Sequence, residues 1–440
     1  MNKAIDVSEY IAKKLSAIAQ DYAITAEQKD RAQVKFANNK VSITQRWMAS
    51  SISVFACINR RTVFTESQPD RLSADRAVAR LLQFSKAVSG NSEFRGVARG
   101  PFKYRQVRNY DAAVESIDLA DCVRESINIG LANGAKRTAG LAEKSSVSLH
   151  TLTSGGVAAS DRMSRAYFSM RSFSENEGSG HSVSVSAGME GFNYREAAEE
   201  SALIATQSKM PKSMPPGTYD VILEHLPAAN LFEAVANSAS PFYVESGLSF
   251  FGGKIGKRVA DTSFSMADDP VSDFGAGSRK FDEEGFPAQR TEIIRNGILR
   301  SYLHSASTAA RYGAKSTGNA GIIAPRAFNP VIEKGNLNKD ELVEKVKRGI
   351  LVTNTWYTRF QNYTTGEFST IPRDGTFLIE KGRVARPVKG VRISDNMLDM
   401  LMKSRHLGNR SRQVMSWEME TPLTTPVILV GNVRITRSAE

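Results

Sequence analysis

Hydrophobic and polar positions change period several times along the chain, and each change predicts an element. Residues 5–20 carry Tyr10, Ile11, Leu15 and Ile18 on one side of a 3.6-residue period, which predicts a helix. "AQVKFANNKVSITQ" then alternates on either side of Asn38-Asn39, a tight hairpin, and "SSISVFACINRRTVFTES" continues it with a second turn at Asn59-Arg60. Helical spacing returns at 72–90, with Ala77, Val78, Leu81 and Leu82 on one face, and again over 109–132. The rhythm then repeats. "KSSVSLHTL", "RMSRAYFSMRSFSE" and "GHSVSVSAG" read as strands, and "YREAAEESALIATQSK" reads as a helix at about 194–209. Helix–strands–helix therefore occurs twice, the mark of a possible internal repeat.

"KMPKSMPPG", 209–217, holds Pro211, Pro215, Pro216 and Gly217 and is the best linker in the chain. Beyond it, strands with tight turns dominate. "RTEIIRNGILRSYLHS" turns at Asn296-Gly297, "TFLIEKGRVARPV" turns at Lys381-Gly382, and "TPVILVGNVRIT" is a closing strand broken at Gly431. Short helices are expected near 228–239, 305–313, 339–348 and 395–404. The pattern predicts an α+β protein with two domains. Residues 1–210 form a mixed helix and antiparallel-sheet half, and residues 218–440 a β-rich C-terminal domain.

Composition narrows the partners and the chemistry. No apolar run is long enough to span a membrane, and the N-terminal segment lacks the apolar block of a signal peptide, so a cytoplasmic protein is expected. Two cysteines, Cys57 and Cys122, leave no cysteine-rich zinc site or disulfide framework. The net charge of +12 permits an acidic partner or nucleic acid, and "RGVARGPFKYRQVR", Arg95 to Arg108, adds Phe102 and Tyr104 to a basic cluster. Without a recognised nucleic-acid motif beside it, the stretch reads as a solvated loop. His150, His181, His225, His304 and His406 stand alone, with no ligand-spaced neighbour. His225 reads as a polar strand end, and His304 as part of a hairpin arm. "FGAGS" at 274–278 and "STGNAG" at 316–321 lack the strand-to-helix setting of a phosphate loop, and the pairs Asp268-Asp269 and Glu283-Glu284 read as solvated turns.

One passage is more particular: "FDEEGFPAQRTEIIRNGILRSYLHSASTAARYGAKSTGNAG", 281–321. It resembles the signature region of the TldD/TldE (PmbA) metalloprotease family, formerly "modulators of DNA gyrase". "TTGEFS", "LIEKGRVARPVKGVRISDN" and "TPLTTPVILVGNVRI" fit that family's later blocks, so the resemblance covers 215–440. It implies a cytoplasmic peptidase of two related subunits. The TldD type carries His-Glu-x-x-x-His and a C-terminal cysteine around zinc. The TldE type keeps the fold without the ligands and pairs with the first.

In the matching place this chain reads "LFEAVANS", with Phe232, Glu233 and Asn237 where the motif has His, Glu and His. Phe232 has no lone pair, and Asn237 offers only a neutral amide oxygen. "SRQVMSWEMETPL" holds Met415 but no cysteine. The resemblance thus implies a TldE-like subunit without zinc of its own and with no catalytic residue, Glu233 being a solvated or capping side chain. Zinc is expected in a TldD-type partner, the substrates are peptides, and self-pairing is the alternative assembly. Residues five apart on a regular helix diverge by about 140°, so a straight helix with Phe232 in the core is expected. Two other readings stay open: an active metallopeptidase with a relocated site drawing on His225, His304 or His406, and a basic nucleic-acid-binding protein.

Overall fold

The computed structural model describes residues 1–437. Its first half is two copies of one arrangement. Helix α1 (Asn2–Leu15) precedes β1 (Asp21–Ala37), β2 (Lys40–Ile58) and β3 (Arg61–Ser67), and α2 (Arg71–Ala87) follows. Then α3 (Ala112–Ser116) and α4 (Leu119–Ala132) precede β4 (Arg137–Thr153), β5 (Ala158–Phe173) and β6 (Ser179–Ser186), and α5 (Tyr194–Gln207) follows. The six strands form one sheet in the order β3-β2-β1-β4-β5-β6, each copy contributing three, joined where β1 pairs antiparallel with β4. The repeat read from rhythm is therefore visible as topology. Both β1–β2 turn residues, Asn38 (φ 50°) and Asn39 (φ 63°), are left-handed, as are Asn59 (φ 49°) and Arg60 (φ 58°) at the next turn. Paired positive φ values are what a two-residue turn matched to strand twist requires.

The helix expected over 109–132 is two helices. Asp111 accepts from Ala113 N–H, and Asp118 accepts from Ala120 and Asp121 N–H, so each aspartate caps a new start.

On β5 the alternation is strict. Ala166, Phe168 and Met170 face a core shared with Val123 and Ile127 of α4 and Ala197 and Ala198 of α5. The other face carries Arg165, Tyr167, Ser169 and Arg171, turned away from those helices.

The second half is one sheet of twelve strands among the described residues. In chain order its elements are β7 (Lys212–Ser213), β8 (Gly217–Leu223), α6 (His225–Ser238), α7 (Pro241–Glu245), β9 (Met266–Asp268), β10 (Thr291–Arg295), β11 (Ile298–Leu299), α8 (Ala306–Tyr312), β12 (Pro330–Ile332), α9 (Lys339–Glu344), β13 (Arg348–Asn362), β14 (Glu367–Glu380), β15 (Arg383–Lys389), β16 (Val391–Asn396), α10 (Met397–Lys403), β17 (Ser404–Val414) and β18 (Leu423–Arg437). The centre is β18-β8-β13-β14. Gly431 does not break β18; the register with β8 shifts between Val430 and Val433, a bulge in a continuous strand. The Asn296-Gly297 hairpin is shorter than its pattern suggests. Its second arm ends at Leu299, and Tyr302, Leu303 and His304 leave the sheet to be buried.

The two halves are clasped together. Arg171 pairs with Asp374, Asn354 meets His181, Arg412 bonds Glu200, and Lys280 N–H donates to Asp161. The basic stretch 95–108 is a loop with its cations exposed, as expected, but its rings belong to this clasp. Phe102 packs on Phe286 and Tyr104 on Phe281, and the Tyr104 hydroxyl donates to Gly285 O at 2.8 Å. The rings that could have stacked on bases are spent inside the molecule.

Candidate functional site

Strand β8 delivers the chain to Glu224, and α6 starts immediately at His225 with Pro227 in its first turn, where a missing N–H costs nothing. His225 is thus a helix start and not a strand end. The helix runs unbroken to Ser238, with buried residues all around it, including Leu226, Ala229, Leu231, Val235 and Ala236. Such a helix is held by packing on every side.

Phe232 has 0% exposure, and its ring lies 5.6 Å from that of Phe264. Asn237 is half-buried one turn further on. Glu233 corrects the expectation of a solvated side chain: it is 7% exposed. Its Oε1 accepts from Glu420 N–H at 2.9 Å and Thr421 N–H at 2.7 Å. Burial pushes the Glu233 carboxyl up to about 7, outweighing these two hydrogen bonds, and the nearby Glu420 adds to the rise. One turn earlier, Asn230 Oδ1 accepts from Ser416 Oγ at 2.6 Å, and its amide donates to Thr355 O at 3.3 Å. Glu233 and Asn230 together staple the 415–422 segment to the helix.

This donor set does not fit a zinc ion. Phe232 is an apolar core residue, Glu233 has one oxygen committed to two backbone donors, and Met415 stands in the C-terminal stretch that lacks a cysteine. The histidines do not compensate. His225 opens α6 with Nε2 3.2 Å from Arg410 O. His304 is buried ahead of α8 with Nδ1 3.2 Å from Thr308 Oγ1, and burial first, then Arg311, hold its imidazole down to about 4. His406 lies on β17 opposite Leu429. Among the described residues, no group of three or more His, Cys, Asp or Glu side chains converges as a metal cluster would. Cys57 and Cys122 are buried in the first half.

Two acidic pairs are also not the solvated turns their context suggests. Asp268 is fully buried and accepts from Asn319 Nδ2 and from the N–H groups of Phe328 and Asn329. In the second pair, Glu284 accepts from the N–H groups of Ala98 and Ala306 and Glu283 from Ile322 N–H, and the neighbouring Asp282 accepts from the N–H groups of Ala320, Glu284 and Phe286. These carboxylates organise the loops of the 281–321 signature.

Beyond the stapled segment lies a feature that the sequence reading missed. Met415, Ser416 and Trp417 line a cavity of about 610 Å³ between the two halves. Its opposite wall is the outer face of the six-stranded sheet, with Arg31, Glu143, Arg165 and Arg171. Trp356 closes one side. The only local signal was the R-x-Y-x-S-x-R alternation of β5, a polar face too rich in arginine for an idle strand.

Comparison with known proteins places the whole. The profile of the PmbA/TldA metallopeptidase C-terminal domain matches residues 216–437. A metalloprotease of Methanocaldococcus jannaschii is 34% identical over 221 residues, 48% of this chain and 48% of its own. A TldD homolog of Haemophilus influenzae is 29% identical over 204 residues, 45% of this chain and 42% of its own. The chain thus matches about half the length of these relatives. Among solved structures, TldE from Thermococcus kodakarensis superposes with a TM-score of 0.86 over 98% of this chain and 100% of that one, at 18% identity. A Thermotoga maritima protein named as a modulator of a DNA gyrase gives 0.87 over 99% and 100%, at 20% identity. At these identities the likeness carries the fold, and it extends that fold over the first half.

Proposed function

The chain belongs to the PmbA/TldD metallopeptidase family, and from that premise we propose that it is a TldE-like, non-catalytic subunit that helps hold peptide for a zinc-bearing TldD-type partner. One observation carries the reading: the helix that bears the family's motif is packed as core. Phe232 fills apolar space beside Phe264, and the Glu233 carboxylate holds the 415–422 segment. A general base needs lone pairs free for water or substrate, and one oxygen of this carboxylate is committed to two backbone N–H groups.

Assembly has support of its own. Among the described residues, strand β3 pairs with Ile52–Ile58, so β2 runs past it with an unpaired edge. Val41, Ile43, Trp47 and Met48 on that overhang are exposed, Met48 by 71%. A free, apolar strand edge is the kind of surface that a second chain covers. No described helix is long and apolar enough to cross a membrane, and the proposed place of work is the cytoplasm. Extended peptide would bind by adding to a strand edge through its backbone.

The test is metal content and partnership. Purified alone, the chain should carry zinc far below one equivalent and leave peptides intact. Co-expressed with a chain that has an intact His-Glu-x-x-x-His, it should co-purify with chelator-sensitive peptidase activity. Chelator-sensitive hydrolysis by the chain alone overturns the reading.

A further inference from the structure

The cavity between the halves is short of acceptors. Arg31, Arg165 and Arg171 all line it, against one carboxylate, Glu143, in the lining. Arg31 NH2 and Gln33 Nε2 both donate to Glu143 Oε2. Arg171 is paired with Asp374 at 2.6 Å behind the wall. Arg165 is left with Glu143 Oε1 at 4.0 Å and the Met415 thioether, 3.6 Å from its NH1. A thioether is a weak acceptor for a guanidinium. Further donors are stranded around it: Arg31 Nε, Arg171 Nε and the indole Nε1 of Trp356 are buried with no acceptor among the described residues, and all three side chains line this cavity. Buried donors seldom go unpaired in folded proteins, and those that do call for an explanation.

We propose that this cavity binds a carboxylate of the peptide, with Arg165 as the residue that grips it. A guanidinium offers two parallel N–H groups that match the two oxygens of a carboxylate. The ligand's carboxylate supplies the acceptor that Met415 supplies poorly, and Trp356 and Arg31 add donors at its flanks. Tyr167, Trp356 and Trp417 give apolar walls for the neighbouring part of the peptide. Glu143 stays with Arg31 and rejects a second acidic group. The net positive lining excludes lysine and arginine side chains. The inference rests on the proposed peptide-holding role and adds to it the class of peptide, one bearing a side-chain or C-terminal carboxylate.

Binding is read on the full chain alone, without hydrolysis. Two of the three tryptophans, Trp356 and Trp417, line the cavity, so intrinsic fluorescence reports occupancy. Three alanine-based pentapeptides, acetylated at the N-terminus, serve as probes: one with a central glutamate and an amidated end, one with glutamine in its place, and one without either but with a free C-terminal carboxylate. The glutamate or the free-carboxylate peptide should bind at least about tenfold tighter than the glutamine one, and which of the two does so identifies the source of the carboxylate. Arg165→Gln should erase the preference, and Arg165→Lys should keep part of it. If Arg165→Gln does not fold, Met415→Glu decides, because a carboxylate built in beside Arg165 should abolish acidic-peptide binding. Equal binding of all three peptides, or a preference that survives both Arg165→Gln and Met415→Glu, overturns the proposal. Its failure leaves the non-catalytic reading standing, whereas zinc-dependent cleavage by the chain alone would overturn that reading and leave this preference measurable.

Discussion

At the scale of single residues, Glu233 shows what holds a carboxylate on a helix buried among apolar side chains. Two backbone N–H groups and burial define its surroundings. Its carboxyl is pushed up to about 7, above the usual range near 4. A raised folded-state value means that the group's contribution to stability is full in acid and is lost as pH rises through about 7. Glu233→Gln keeps an acceptor oxygen for the staple and removes the titration. The variant should therefore gain on the wild type by about 1–3 kcal/mol between pH 5 and pH 8, read as the change in the difference between their denaturation midpoints. A difference that stays constant across that range would show an ionised Glu233 throughout. Phe232 is simpler. With no exposure and an aromatic neighbour, Phe232→Ala should cost about 3–5 kcal/mol in chemical denaturation, where a vestigial surface position would cost almost nothing.

At the scale of elements, α6 decides whether histidines placed at 232 and 237 could share an ion. On an unbroken helix, positions 232 and 237 point about 140° apart, and among the described residues no group of three His, Cys, Asp or Glu side chains is already gathered as a metal site. The double variant Phe232→His, Asn237→His should therefore bind no more zinc than the wild type by elemental analysis. Near-stoichiometric zinc would mean that the helix bends to order. The continuity of α6 was legible in the sequence, because nothing in "LFEAVANS" interrupts a helix, and so were the hairpins at Asn38-Asn39 and Asn296-Gly297, whose turn residues adopt positive φ. The split at Asp118 was less so: two capping aspartates inside a helical period look like ordinary polar positions until the backbone turns. The burial of Asp268, Asp282 and Glu233 was not legible at all. A carboxylate enters a protein interior when distant N–H groups come to meet it, and those donors lie up to 188 residues away in the chain.

At the scale of the whole molecule, the same limit hid the cavity, whose walls come from β1, β4, β5, β13 and the 415–422 segment and converge only when the halves close. That closure depends on buried charge. Asp374 has no exposed side-chain surface and is held by Arg171 at 2.6 Å and by Asn354 at 2.7 Å. Burial alone would push its carboxyl up, but Arg171 leads the neighbours that more than offset this and hold it below the usual carboxylate range. A depressed folded-state value gives stability that is present above about pH 4 and is lost as pH falls through the folded value. Arg171→Met removes the partner and strands the carboxylate, so it should cost about 3–5 kcal/mol near pH 7. The deficit should shrink toward pH 4, where the stranded aspartate takes up a proton and no longer needs a cation. Because Arg171 sits on the sheet of the first half and Asp374 on β14 of the second, the loss falls on their junction. Calorimetry should show one cooperative transition in the wild type and either a broadened or a split one in the variant. A variant that unfolds as sharply and as late as the wild type at neutral pH would show that the halves hold together by their apolar contacts alone.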